Sequence, residues 1–116
     1  MKVIIAGSRD ITDITLVVRA VKESGFHITE IVCGKALGVD TLGELYGISN
    51  RIPVKPFPAD WYPGGKFFRG AGHVRNRQMG DYADALIAIW DGISPGTKGM
   101  IEYMRSLNKP TYVLMI

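Results

Sequence analysis

The chain has 116 residues, of which 47% are hydrophobic and 22% charged, with 14 Lys and Arg against 11 Asp and Glu for a formal charge of +3. That balance excludes a disordered or fibrous chain and predicts one globular domain over residues 1–116. A lone cysteine, Cys33, excludes an internal disulfide, and the opening run MKVIIAG is too short for a secretory core or a membrane span, so a cytoplasmic protein with no membrane partner is expected.

Apolar run 2–6 predicts a first strand. Residues 11–25 follow as a helical pattern with Ile14, Val17, Val18 and Val21 on one face and Gly25 as its stop. Run 28–33 predicts a second strand, leading into the glycine-bracketed turn CGKALGVD. A helix over 39–50 carries Leu42, Leu45, Tyr46 and Ser49 at helical spacing, with Gly43 and Gly47 weakening it. Pro53 and Pro56 make run 53–58 an edge strand. The aromatic and basic segment WYPGGKFFRGAG is too distinctive for a plain linker and suggests a flap over a site or an oligomer contact. A helix over 72–83, a strand over 85–89, a helix over 96–109 with Met100, Ile101, Met104 and Leu107 on one stripe, and a strand over 111–115 complete the chain. Strict alternation predicts an α/β fold: a three-layer Rossmann-like domain with a five-stranded, mainly parallel sheet in order 3-2-1-4-5. Ligands of such sheets lie beyond the carboxyl ends of the strands, here near the switch point between strands 1 and 4.

Unusual residues gather at those ends. Gly7, Gly34 and Gly38 permit close backbone approach. Gly38 and Gly96 stand at helix starts, where free N–H groups and the helix dipole favour phosphate. Ser8 and Thr97 are hydroxyl donors for phosphate oxygens, and Arg9, Arg75 and Arg77 offer charge and bidentate bonds. Asp40 or Asp91 suits ribose hydroxyls, and Trp61 or Trp90 a base. Blander roles compete: Asn76 as a helix cap, Asp40 as a dipole partner, the tryptophans and Cys33 as packing. Neither G-x-G-x-x-G nor G-x-x-x-x-G-K-[ST] occurs, which argues against an ordinary NAD dehydrogenase or a P-loop NTPase.

In order, GSRD, GKALGVD, FPADW, AGHVRNRQM, ADALIAIWDG and GTKGMI resemble the YspA-like branch of the SLOG (Smf/DprA–LOG) superfamily over nearly the whole chain. The resemblance implies a Rossmann-like fold and a nucleotide or nucleotide-derived ligand at the glycine-rich strand ends. Relatives include phosphoribohydrolases, a DNA-processing protein, and sensor domains of bacterial and phage conflict systems that take cyclic ADP-ribose-type signals. Carried over by position, it points to Gly7, Ser8, Arg9, Gly34, Gly38, Asp40, Arg75, Asn76, Gly96 and Thr97. Two departures stand out. Lys35 replaces the second glycine of the second loop and Leu37 its basic residue, so either the charge has moved two places to Lys35 or the loop takes a different ligand. Where LOG enzymes carry a glutamate this chain has Met100, and Glu102 lies about 200° around a helix from it. The first expectation is therefore a binding protein that senses or sequesters an ADP-ribose-like or cyclic nucleotide signal in a bacterial or phage-infected cell, with no cofactor and no metal. The alternatives are a nucleotide N-glycosidase or phosphoribohydrolase using Asp40, Asp91 or Glu102, and single-stranded nucleic-acid binding through Arg69, Arg75, Arg77, Phe67 and Phe68. A homodimer or higher homo-oligomer is the default assembly.

Overall fold

Val3, Ile4, Ile5 and Ala6 are apolar on both faces of a strand, so that strand belongs in the middle of a sheet covered on both sides. The computed structural model, which describes residues 1–34 and 38–116, places it there. The elements run β1 (Lys2–Gly7), α1 (Ile14–Ser24), β2 (Glu30–Cys33), α2 (Val39–Ser49), β3 (Val54–Pro56), α3 (Ala71–Tyr82), β4 (Ala85–Trp90), α4 (Pro95–Ser106) and β5 (Thr111–Met115). The five strands form one all-parallel sheet in the order β3-β2-β1-β4-β5.

Successive strand residues point to opposite faces. Val3, Ile5, Ile87 and Ile89 meet Val17, Ala20, Val39 and Leu42 of α1 and α2 on one side. Ile4, Ala6, Leu86 and Ala88 meet Met79, Met100, Ile101 and Met104 of α3 and α4 on the other. This is the three-layer arrangement expected from the alternation of elements.

Local chemistry explains the helix ends. The Asp13 carboxylate caps α1, accepting from the Thr15 N–H at 2.9 Å, and Gly25 ends it at φ 69°. Lys109 ends α3 from a distance: its ammonium donates to the carbonyls of Gly80 at 2.7 Å, Asp81 at 3.2 Å and Ala83 at 2.8 Å.

Several boundaries and faces differ from the sequence expectation. β2 starts at Glu30 and β3 covers three residues, Val54–Pro56. On α1, Val17 and Ala20 face the core while Ile14 and Val18 are exposed. On α2, Gly43 and Gly47 are buried and Leu45 is exposed. A Cβ on Gly43 would stand 3.1 Å from Ile5 Cβ, and one on Gly47 2.7 Å from Val54 Cγ2. These glycines are the face by which α2 lies close on the sheet. α4 begins at Pro95, with Ser94 as its N-cap residue.

Candidate functional site

Chain crossovers leave β1 for α1 on one side of the sheet and enter β4 from α3 on the other, so a crevice opens where β1 and β4 end together. The register pairs Gly7 with Ile89, and the Ser8 N–H carries on to the Ile89 carbonyl at 3.2 Å. Beyond this point lies a cavity of about 500 Å³, within the range of small-molecule sites.

Its wall collects residues from five places in the sequence. Gly7, Ser8, Arg9 and Asp10 come from the end of β1, Asp40 from α2, Gly72, Arg75, Asn76 and Met79 from α3, and Ser94, Pro95, Gly96, Thr97 and Met100 from α4. Trp61, from the loop after β3, completes it. Of the residues singled out from sequence, Gly7, Ser8, Arg9, Asp40, Trp61, Arg75, Asn76, Gly96 and Thr97 therefore line one space.

The other candidates take different places. Gly34 lies under the wall: a Cβ there would be 2.9 Å from the Arg75 guanidinium carbon and 3.0 Å from Asp40 Oδ2, so both side chains converge on it. The Arg75 guanidinium also donates to the Gly34 carbonyl, and its Nε donates to Asn76 Oδ1 at 2.8 Å. Gly38 has φ 76° and ψ −125°, and its Cα side faces the Ser8 and Arg9 carbonyls, 2.5 and 2.4 Å from where a Cβ would stand. Its structural work is to seat the start of α2 against the end of β1. Lys35 lies outside the described residues. Trp90 sits below the wall, its indole N–H donating to the Ser94 carbonyl at 3.0 Å while its ring packs in the α3–α4 core layer. Glu102 is on the outer side of α4, exposed and 3.9 Å from Lys98, and Arg77 lies over the Tyr103 ring beside it. Both line a separate outer hollow between α3 and α4.

Asp91 organises the turn into α4. Its Oδ1 accepts the N–H groups of Ser94 and Ile93, both at 2.8 Å, and its Oδ2 accepts the Ser94 hydroxyl at 2.9 Å. The backbone bonds from Ser94 and Ile93 are the main reason its pKa falls from 3.8 to about 2. The Asp91 N–H donates to Ser8 Oγ at 3.3 Å, and the Ser8 and Ser94 hydroxyl oxygens are 3.2 Å apart. One hydroxyl network therefore joins the end of β1 to the start of α4.

The α4 end of the wall is open to a ligand. Nothing lies within 4 Å of where a Cβ on Gly96 would stand. The first intrahelical bond of α4 is made by the Lys98 N–H to the Ser94 carbonyl at 3.2 Å, and helix geometry leaves the N–H groups before it without partners inside the helix. Thr97 is only 7% exposed, and its hydroxyl has no hydrogen-bond partner among the described residues. Opposite stands Trp61, 40% exposed, stacked on Phe67 at 6.2 Å with 13° between the rings. The Phe68 N–H donates to the Trp61 carbonyl at 2.7 Å, closing the loop, and Tyr62, Phe67 and Phe68 are exposed on it.

Sequence reasoning passed over Asp10, Gly72, Met79, Ser94 and Pro95 in this wall. Only the last two had a readable signal, since serine followed by proline is a helix-start pair. Among the described residues no three His, Cys, Asp or Glu side chains gather to hold a metal, and no helix is long and apolar enough to cross a membrane.

No curated protein and no solved structure matches the chain. The model of the YspA, cpYpsA-related SLOG family matches residues 1–63, which carry the β1 end, the β2 turn, Asp40 and Trp61. That match spans just over half of the 116 residues, and the chain belongs to this family.

Proposed function

We propose that the chain, acting as one domain, binds a nucleotide-derived small molecule of the ADP-ribose or cyclic nucleotide kind, and senses or sequesters it. The observation that carries this reading is the meeting of unlike groups around one cavity. The α4 start offers N–H groups and the Thr97 hydroxyl, which suit a phosphate. Arg9 and Arg75 add charge from either side. Trp61, braced by Phe67, offers a face for a base. Asp10 and Asp40 supply acceptors for sugar hydroxyls.

Binding is favoured over hydrolysis by the placement of carboxylates. Met100 lines the cavity where the LOG resemblance would put a glutamate, and Glu102 points to the outer side of α4. Asp91 is spent on the turn into α4, and a carboxylate with a pKa of about 2 is a weak base at neutral pH.

The test is a thermal-shift panel of ADP-ribose and its cyclic isomers, cyclic dinucleotides, NAD and nucleoside monophosphates. Each stabilising compound is then recovered from heat-denatured protein and identified by mass spectrometry. An intact compound supports capture. Recovery as base plus sugar phosphate overturns it in favour of a glycosidase, and no shift with any compound rejects the nucleotide reading.

A further inference from the structure

The outer hollow between α3 and α4 holds about 490 Å³, nearly as much as the cavity at the strand ends, and Asn76 lines both. The floor between them is open. Gly96 lines the cavity and Gly99, one turn further along α4, lines the hollow, and nothing lies within 4 Å of where a Cβ on either would stand. The two spaces continue one another along the α3–α4 groove. The hollow also holds a cation without a counter-charge. Arg77 lies 5.2 Å over the Tyr103 ring, yet its guanidinium makes no hydrogen bond and no ion pair among the described residues. The carboxylates around it have other partners: Asp81 accepts the Tyr103 hydroxyl, and Glu102 stands 3.9 Å from Lys98. A guanidinium braced on a ring, with its N–H groups unused, suits a phosphate. His73, one turn before Arg77, and Asn76 stand on the same wall of the hollow.

From this we infer that the outer hollow is a second phosphate subsite, held by Arg77, and that the ligand is a phosphodiester-linked dinucleotide and not a pyrophosphate-linked ADP-ribose. Spacing decides between the two. Tyr103, under the Arg77 guanidinium, lies two turns beyond Gly96 on α4, about 10 Å along the helix axis. The two phosphates of a pyrophosphate share one oxygen, so they cannot occupy the α4 start and the Arg77 position together. Two phosphates with a nucleoside between them can, and that nucleoside then lies over the open floor at Gly96 and Gly99. Together the cavity and the hollow reach the upper end of small-molecule sites, about 1,000 Å³, which is room for two nucleotide units where one would leave the hollow unfilled.

The inference rests on the nucleotide reading above, and its test separates the two. Wild-type protein is titrated calorimetrically with AMP, ADP-ribose and 5′-phosphorylated diadenylate. The dinucleotide is expected to bind about 10- to 100-fold tighter than either of the others, the worth of one charge-assisted hydrogen bond. In Arg77→Gln that advantage is expected to disappear. If AMP or ADP-ribose binds and the dinucleotide gains nothing over it, the second subsite is wrong while the nucleotide reading stands. If Arg77→Gln keeps the whole advantage, Arg77 does not hold the second phosphate and the inference also fails. A longer oligoadenylate that binds tighter still would make the groove a strand-binding surface and overturn the two-unit ligand. If none of the compounds binds, the nucleotide reading falls and takes this one with it. The wild-type comparison needs no variant to fold.

Discussion

Gly96→Ala should move stability and binding in opposite directions. Gly96 is the second residue of α4, and nothing stands within 4 Å of the added methyl. Within a helix, alanine is better than glycine by about 0.5–1 kcal/mol, through the entropy of the unfolded chain. The variant is therefore expected to unfold at a higher urea concentration than wild type. The same methyl enters the cavity at the N–H groups offered to a phosphate. Displacing a phosphate from one charge-assisted bond costs about 1.5–3 kcal/mol, roughly a 10- to 100-fold loss of affinity. Urea unfolding gives the first quantity, and calorimetric titration with the tightest-binding compound of the nucleotide panel gives the second. A stabilised variant that binds as tightly as wild type would refute the placement of phosphate at α4. A destabilised variant would refute the claim that this space is empty.

Three other outcomes are expected. Gly38→Ala should cost upward of about 3 kcal/mol in urea unfolding, since its φ of 76° is costly for any side chain and its Cβ would stand 2.4 Å from the Arg9 carbonyl oxygen; a loss under about 1 kcal/mol would show that the α2 start is not seated there. Lys109→Met should lower stability by about 1–3 kcal/mol, because three carbonyls at the end of α3 lose their cation; an unchanged unfolding midpoint would contradict those bonds. Asp91 has its folded pKa lowered from 3.8 to about 2, so its contribution is fully present above about pH 4 and is lost as pH falls toward 2. The stability gap between wild type and Asp91→Asn should close over that window, and a gap constant from pH 7 to pH 2.5 would rule the linkage out.

The sheet was legible because its signal is local. Runs such as VIIA and ALIAI are apolar on both faces, and only a covered parallel strand uses such a run repeatedly between helical patterns. Helix faces were harder to read. Hydrophobic spacing on α2 favours Leu45, yet Gly43 and Gly47 share the buried face with Val39 and Leu42, because at those two positions the helix approaches Ile5 and Val54 too closely for a side chain. A glycine pair read by propensity alone counts against a helix, whereas here it decides which side of the helix meets the sheet. Ile14 and Val18 fall outside the α1 core face for a related reason: Ala20, small and unremarkable in a hydrophobic count, takes a place in it.

The site divides the same way. Glycines and arginines at strand ends stand out in a sequence because their chemistry is unusual wherever they fall. Partnerships do not stand out. Ser8 and Ser94 are 86 positions apart, and nothing in either neighbourhood announces a hydroxyl pair. Only the register that sets Gly7 beside Ile89 brings the two loops together.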